Sequence, residues 1–197
     1  MSKAALPSFK FSQITDVKDK IVFVSGGAKG IGLMIAHAYV IHGAKVVISS
    51  RDEKTCTGVA EGLTKLGPGT CYSLAGDLSK DSECKRVAEE LAKREQHLDV
   101  LINNSGANWG EEIETYPSTA FDKVMSLNVK SVFLLTRYLL PLLEKAAEKS
   151  KTPASVINIG SVDGVRVPGL ETYAYSASKV EAFHLIKTLI RSHSWSF

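Results

Sequence analysis

Residues 21–32 read Ile21-Val22-Phe23-Val24-Ser25-Gly26-Gly27-Ala28-Lys29-Gly30-Ile31-Gly32, and their reading decides the fold. The first four are apolar without interruption and mostly β-branched, the pattern of a short strand buried on both faces. A glycine-rich turn follows, and an apolar helical pattern runs from Gly30 to His42, where Gly43 stops it. Glycines at 26, 30 and 32 permit positive φ and let backbone N–H groups approach a pyrophosphate at the helix N-terminus. The same glycines also serve close helix–strand packing, but their place directly between strand and helix favours dinucleotide binding.

Outward from this unit the alternation repeats. Residues 46–49 read as a second strand, 53–66 as a helix ended by Gly67-Pro68-Gly69, and 71–75 as a third strand. Residues 80–97 read as a charged amphipathic helix and 100–103 as a fourth strand. Residues 120–147 form one long helical stretch, or two consecutive ones, in which Pro141 is expected to produce a kink or to fall where the helix is already turning. Residues 154–159 are a fifth strand and 172–192 the last helix. Continuous apolar strands alternating with amphipathic helices call for an α/β fold, a parallel sheet covered on both faces with right-handed crossovers. Ligands of such sheets bind beyond the carboxyl ends of the strands, so the turns there are where chemistry is expected.

With 197 residues and 44% hydrophobic content, the chain can bury a core as one domain. Residues 1–20 are read as an N-terminal arm and 21–197 as the dinucleotide-binding domain. A net charge of +3, spread without blocks, gives no electrostatic case for nucleic acid or an anionic membrane. No apolar run resembles a signal peptide or a membrane span, so a cytoplasmic location is expected. Cys56, Cys71 and Cys84 lack paired spacing and read as reduced, half-buried thiols. The scattered histidines, among them His37, His42, His97 and His184 in helical patterns, give no metal set.

The cofactor is chosen at the end of the second strand, where an acid takes a ribose 2′-hydroxyl and an arginine accommodates a 2′-phosphate. Here the stretch is Ser49-Ser50-Arg51. Ser50 brings no carboxylate, Arg51 offers a planar fork, and Lys29 adds a second cation from the glycine turn, so NADP(H) is favoured over NAD(H). Asp52 leaves two possibilities open: a contact to the ribose, or the N-cap of the helix at residue 53.

Tyr175 and Lys179 stand four residues apart on the last helix. They share a face about 6 Å apart along the axis, where an ammonium favours loss of a phenolic proton. With these pieces the chain resembles the short-chain dehydrogenase/reductase family over nearly everything from residue 20 to about 191. Ser25 to Gly32 resembles the family's TGxxxGIG turn, Asp77-Leu78 its adenine-contacting acidic pair, and Asn103-Asn104-Ser105-Gly106 its NNAG segment, with Ser105 in place of alanine. Tyr175 and Lys179 resemble its YxxxK centre. Trp109-Gly110 and residues 124–129, 139–143 and 156–162 are most similar to the family's 3-oxoacyl-acyl-carrier-protein reductases.

The resemblance implies a Rossmann-like doubly wound sheet of strand order 3-2-1-4-5. It implies nucleotide contacts from Ser25, Gly26, Lys29, Gly30, Ile31, Gly32, Arg51, Asp77, Leu78, Asn103, Gly106, Tyr175 and Lys179. It makes Tyr175 the acid that protonates a substrate carbonyl, Lys179 the group that assists it and holds the ribose, and Ser161 a second hydrogen bond to that carbonyl. Asn128 would hold a water that relays protons to Lys179; its alternative is a buried amide bonded to the backbone of a bent helix. Tyr173 is a decoy, because Ala177 rather than lysine lies four residues beyond it. Partners implied are a small carbonyl or alcohol substrate and a homo-oligomer formed through the two long helices.

Against the family pattern the chain stops early, so a C-terminally truncated domain is expected, lacking later strands and the substrate lid and leaving the fifth strand as an open edge. Two functions follow from the residues: an NADP(H)-dependent oxidoreductase acting on a carbonyl or secondary alcohol such as a 3-oxoacyl thioester, or a catalytically silent nucleotide-binding module.

Overall fold

The computed structural model of the chain describes residues 16–192. In chain order these form β1 (Ile21–Ser25), α1 (Gly30–Ile41), β2 (Lys45–Ser49), α2 (Glu53–Leu66), β3 (Thr70–Ser73), α3 (Asp81–Arg94) and β4 (Val100–Asn103). Then come α4 (Ser118–Met125), a π-helical stretch (Ser126–Lys130), α5 (Ser131–Ser150), β5 (Ser155–Asn158), a 3₁₀ turn (Val162–Gly164) and α6 (Tyr173–Ser192). The five strands make one parallel sheet in the order β3-β2-β1-β4-β5, as the resemblance implied.

Side-chain alternation along β1 splits the core in two. Ile21 and Phe23 face the layer built by α3 and α5, with Leu91, Leu101, Leu135 and Leu139. Val22 and Val24 face the layer built by α1 and α2, with Val40, Val46, Ile48 and Ile102. The central strands β1 and β4 bury both faces, which is why they are apolar almost throughout, whereas the edge strand β5 is partly exposed. Register aligns Ser25 with Ser49 and Asn103 with Asn158. The sheet therefore presents its polar residues along one carboxyl edge.

The opposite edge is held by two buried carboxylates. Asp99 accepts from Lys20 Nζ at 2.9 Å and from the Ile21 amide at 2.8 Å. Glu95 accepts from Lys45 Nζ at 3.1 Å and from the Tyr72 hydroxyl at 3.0 Å. Recruitment of Glu95 ends α3 at Arg94, so His97 lies past the helix rather than in it, with Nε2 3.4 Å from Asp99 Oδ2.

Two other readings change, and a third lies mostly outside the described residues. The departure from α geometry in the long helical stretch lies at Ser126–Lys130, while Pro141 sits inside α5. Asn128, within that stretch, reaches the loop after β4. The cysteines are free and buried, not half-buried: they pack beneath α2, in β3 and beneath α3. Of the N-terminal arm, residues 1–15 lie outside the described residues; further on, the Asp19 amide donates to Gly43 O at 3.0 Å.

Candidate active site

The glycine turn is tied down before it meets any ligand. The Gly26 amide donates to Ser49 O at 2.7 Å. Asn104 Nδ2 donates to Ser25 O at 3.0 Å and Gly26 O at 3.3 Å. The Ser25 hydroxyl accepts from the amides of Asn104 and Ser105, both at 3.0 Å. Ser25 is thus turned into the protein, joining the ends of β1 and β4. A Cβ on Gly32 would collide with the Gly26 carbonyl, so this position must be glycine for packing. Gly30 differs: its φ is +54° and a Cβ there would meet nothing within 4 Å. Lys29, the residue before α1, makes no capping hydrogen bond, and the helix has no acid in its first turn. An open space before uncapped N–H groups fits a pyrophosphate.

That space belongs to a cavity of about 710 Å³ over the carboxyl edge. Of the residues expected to contact a nucleotide, Gly26, Lys29, Gly30, Ile31, Arg51, Leu78 and Gly106 line it; Ser25, Gly32, Asp77, Asn103, Tyr175 and Lys179 do not. Thr55, Gly76, Asn104, Ser105 and Leu127 line it without having been expected. Asp52 Oδ1 accepts from the Thr55 amide at 2.6 Å, capping α2, and hydrogen bonding from the Thr55 side chain and amide holds its carboxyl below the usual range. Asp52 is thus an N-cap that also lines the cavity. Asp77 likewise bends its own turn, accepting from the Ser79 hydroxyl at 2.7 Å, which lowers its pKa. Asn103 is buried and donates to Asn158 Oδ1 at 2.8 Å and to the Thr136 hydroxyl at 3.3 Å.

At the other end of the edge, Lys179 is 8% exposed and donates to Ile159 O at 2.8 Å. Its Nζ lies 5.4 Å from the centroid of the Tyr175 ring, so the two side chains share one face as their spacing predicts. Burial pushes the Lys179 pKa down. Ser161 Oγ accepts from the Asp163 amide at 3.2 Å, capping the 3₁₀ turn after β5 and keeping its own proton to donate. Tyr173 stacks edge-on against Tyr116 with ring centroids 5.6 Å apart.

Asn128 is 2% exposed and fully engaged. Its Oδ1 accepts from the Ala107 amide at 2.8 Å, and its Nδ2 donates to Ala107 O at 2.9 Å and to Ser178 Oγ at 2.9 Å. The side chain is a buried amide bonded to the loop after β4 and to α6, not to the backbone of a bent helix. Ala107 and Ser178 carry no sequence signal for this, since they lie 21 and 50 residues away.

The strand order, with an uncapped helix behind a glycine turn, defines a doubly wound fold of the nucleotide-binding type, with a tyrosine–lysine pair at its carboxyl edge. The chain belongs to the short chain dehydrogenase family, whose model matches residues 20–194. It is 41% identical over 172 residues to the rhamnolipids biosynthesis 3-oxoacyl-[acyl-carrier-protein] reductase of Pseudomonas aeruginosa, covering 87% of this chain and 66% of that protein. It is 31% identical to the L-fucose dehydrogenase of Bos taurus, covering 89% of this chain and 61% of that one. The chain thus spans about two thirds or less of the length of these relatives. Among solved structures, the Pseudomonas aeruginosa RhlG/NADP active-site complex superposes with a TM-score of 0.86 at 40% identity, covering 90% of this chain and 68% of that one. The NADH-dependent reductase A1-R′ complexed with NAD gives 0.85 at 28% identity, covering 91% and 75%.

Proposed function

We propose that this chain is an NADP(H)-dependent oxidoreductase of short-chain type that interconverts a carbonyl and a secondary alcohol, with a 3-oxoacyl thioester as the substrate class. The observation that carries the reading is Lys179, buried against Ile159 O and set beside Tyr175 at the same sheet edge as the nucleotide cavity. Bound NADPH would supply the hydride. Tyr175 gives its phenolic proton to the carbonyl oxygen, and the Ser161 hydroxyl donates to the same oxygen. Lys179 spends one of its three N–H groups on Ile159 O and keeps two for the ribose hydroxyls and the phenol.

Preference for the 2′-phosphate rests on Arg51 and Lys29, both at the cavity, with the neighbouring Asp52 carboxylate committed to the cap of α2. The relative complexed with NADP supports that choice at 40% identity, and the 3-oxoacyl substrate class is suggested by the same relative's described activity. Residues 21–197 serve as the dinucleotide-binding unit. Exposed Phe121 and Phe133 on α4 and α5, with Tyr173 and Val180 on α6, support a homo-oligomer through these helices. The free thiols support a cytoplasmic location.

Fluorescence titration with NADPH and NADH, followed by an absorbance assay over ketones including 3-oxoacyl thioesters, tests the reading. Tighter NADPH binding with ketone-dependent NADPH oxidation is expected; binding without oxidation by any ketone contradicts it.

A further inference from the structure

Ser178 lies between Tyr175 and Lys179 on α6, at one of the positions within their YxxxK segment to which no role has been given. It is 0% exposed, yet it carries a hydroxyl. Ser178 Oγ donates to Tyr175 O at 2.7 Å and accepts from Asn128 Nδ2 at 2.9 Å. A helical serine bonding back to a carbonyl one turn earlier is ordinary. The second bond is not, because it leaves the helix and enters the π-helical stretch.

The contact continues into the nucleotide cavity. Asn128 holds both the N–H and the C=O of Ala107, and that pairing fixes which way its amide points. Ala107 follows Gly106, which lines the cavity. One serine hydroxyl therefore closes a chain from the loop beside the nucleotide, through Asn128, to the backbone carbonyl of Tyr175. Asn128 has one acceptor and two donors in this arrangement, and all three are used. If the serine hydroxyl is removed, one buried Asn128 N–H loses its partner and the amide is free to turn off Ala107.

We propose that Ser178 is a positioning residue, which sets the placement of the Tyr175 helix relative to the Gly106-Ala107 loop through Asn128. The inference rests on the oxidoreductase reading for its catalytic consequence, and on the hydrogen bonds alone for the physical link.

The test compares the full chain with Ser178→Ala, which deletes the hydroxyl, and Ser178→Cys, which keeps the side chain's size with a weaker hydrogen-bonding group. Amide hydrogen exchange at Ala107 reads the link without needing turnover. Exchange there should speed up about tenfold in Ser178→Ala, with Ser178→Cys between the two, while core amides such as Leu139 keep their protection. In steady-state assays kcat should fall about tenfold or more, with KM for NADPH unchanged. Unchanged exchange at Ala107 overturns the link, and so does an equal loss of protection at Leu139, which would mean general loosening. Faster exchange at Ala107 with unchanged kcat overturns the positioning role. The unaltered chain and Tyr175→Phe, assayed alongside, separate the claims: no ketone-dependent NADPH oxidation by the unaltered chain rejects the oxidoreductase reading, Tyr175→Phe turnover equal to that of the unaltered chain removes the proposed acid, and either result leaves the exchange at Ala107 to judge the link. If Ser178→Ala does not fold, Ser178→Cys is read by the same criteria.

Discussion

Arg51 and Ser105 are the residues whose replacement separates cofactor recognition from the rest of the site. Arg51→Asp removes a planar cation and installs a charge that repels a 2′-phosphate, so NADPH affinity should fall by roughly 10- to 100-fold while NADH affinity changes little. Paired fluorescence titrations measure this, and unchanged discrimination would remove Arg51 from the role. Ser105 stands where the family pattern has alanine; its amide goes to Ser25, and its side chain lines the cavity. Ser105→Ala should leave the fold intact and weaken nucleotide binding severalfold, on the order of one neutral hydrogen bond. Identical binding would show the hydroxyl to be a bystander. Arg51 was legible because its place after the second strand marks it, whereas Ser105 was legible only as a departure from the NNAG segment and its place at the cavity was not. Ser178 was not, since its partner Asn128 is 50 residues distant and only the folded chain brings them together.

Among the elements, the strands anchor at one edge and work at the other. Asp99 ties the amino ends of β1 and β4 by accepting from the Ile21 amide and from Lys20. Asp99→Ala leaves a buried amide without its acceptor, which should cost about 1–3 kcal/mol, with little added for Lys20 because that side chain is 37% exposed. Urea denaturation reads the change; a loss well under 1 kcal/mol would mean the tie is dispensable. Every strand and helix was foreseen, because apolar runs and glycine punctuation signal buried strands in a parallel sheet. Their ends were less legible. α3 stops at Arg94 because the next residue, Glu95, is claimed by Lys45 and Tyr72, partners remote in sequence. Pro141 drew attention that belonged to Ser126–Lys130: a proline announces a break in sequence, whereas the contact of Asn128 with Ala107 exists only in the folded chain.

The whole molecule carries its three thiols inside, and this sets how stability responds to alkali. Burial raises Cys56 and Cys84 from 9.0 to about 11 and Cys71 to about 12. Unfolded thiols ionise first, so their contribution is complete below pH 9.0 and is lost as pH rises through about 11 to 12. Lys179 acts in the opposite direction, since its lowered pKa lets the native chain release a proton before the unfolded one does. Three thiols, joined at higher pH by Tyr39 and Tyr72, whose burial also raises them, outweigh one amine, so unfolding free energy should fall steadily above pH 9, by about 1.4 kcal/mol per pH unit for each net proton. A flat profile across that range would contradict the burial of the thiols. At this scale the fold, the cavity and the tyrosine–lysine pair meet along one carboxyl edge of the sheet, where β1, β4 and β5 deliver the glycine turn, the Gly106 loop and Ser161 together. The most direct measurement of the central claim is ketone-dependent NADPH oxidation by Tyr175→Phe beside the unaltered chain, with NADPH binding measured on both. The account predicts a loss of at least about 100-fold in turnover with binding nearly unchanged; turnover equal to that of the unaltered chain would contradict it.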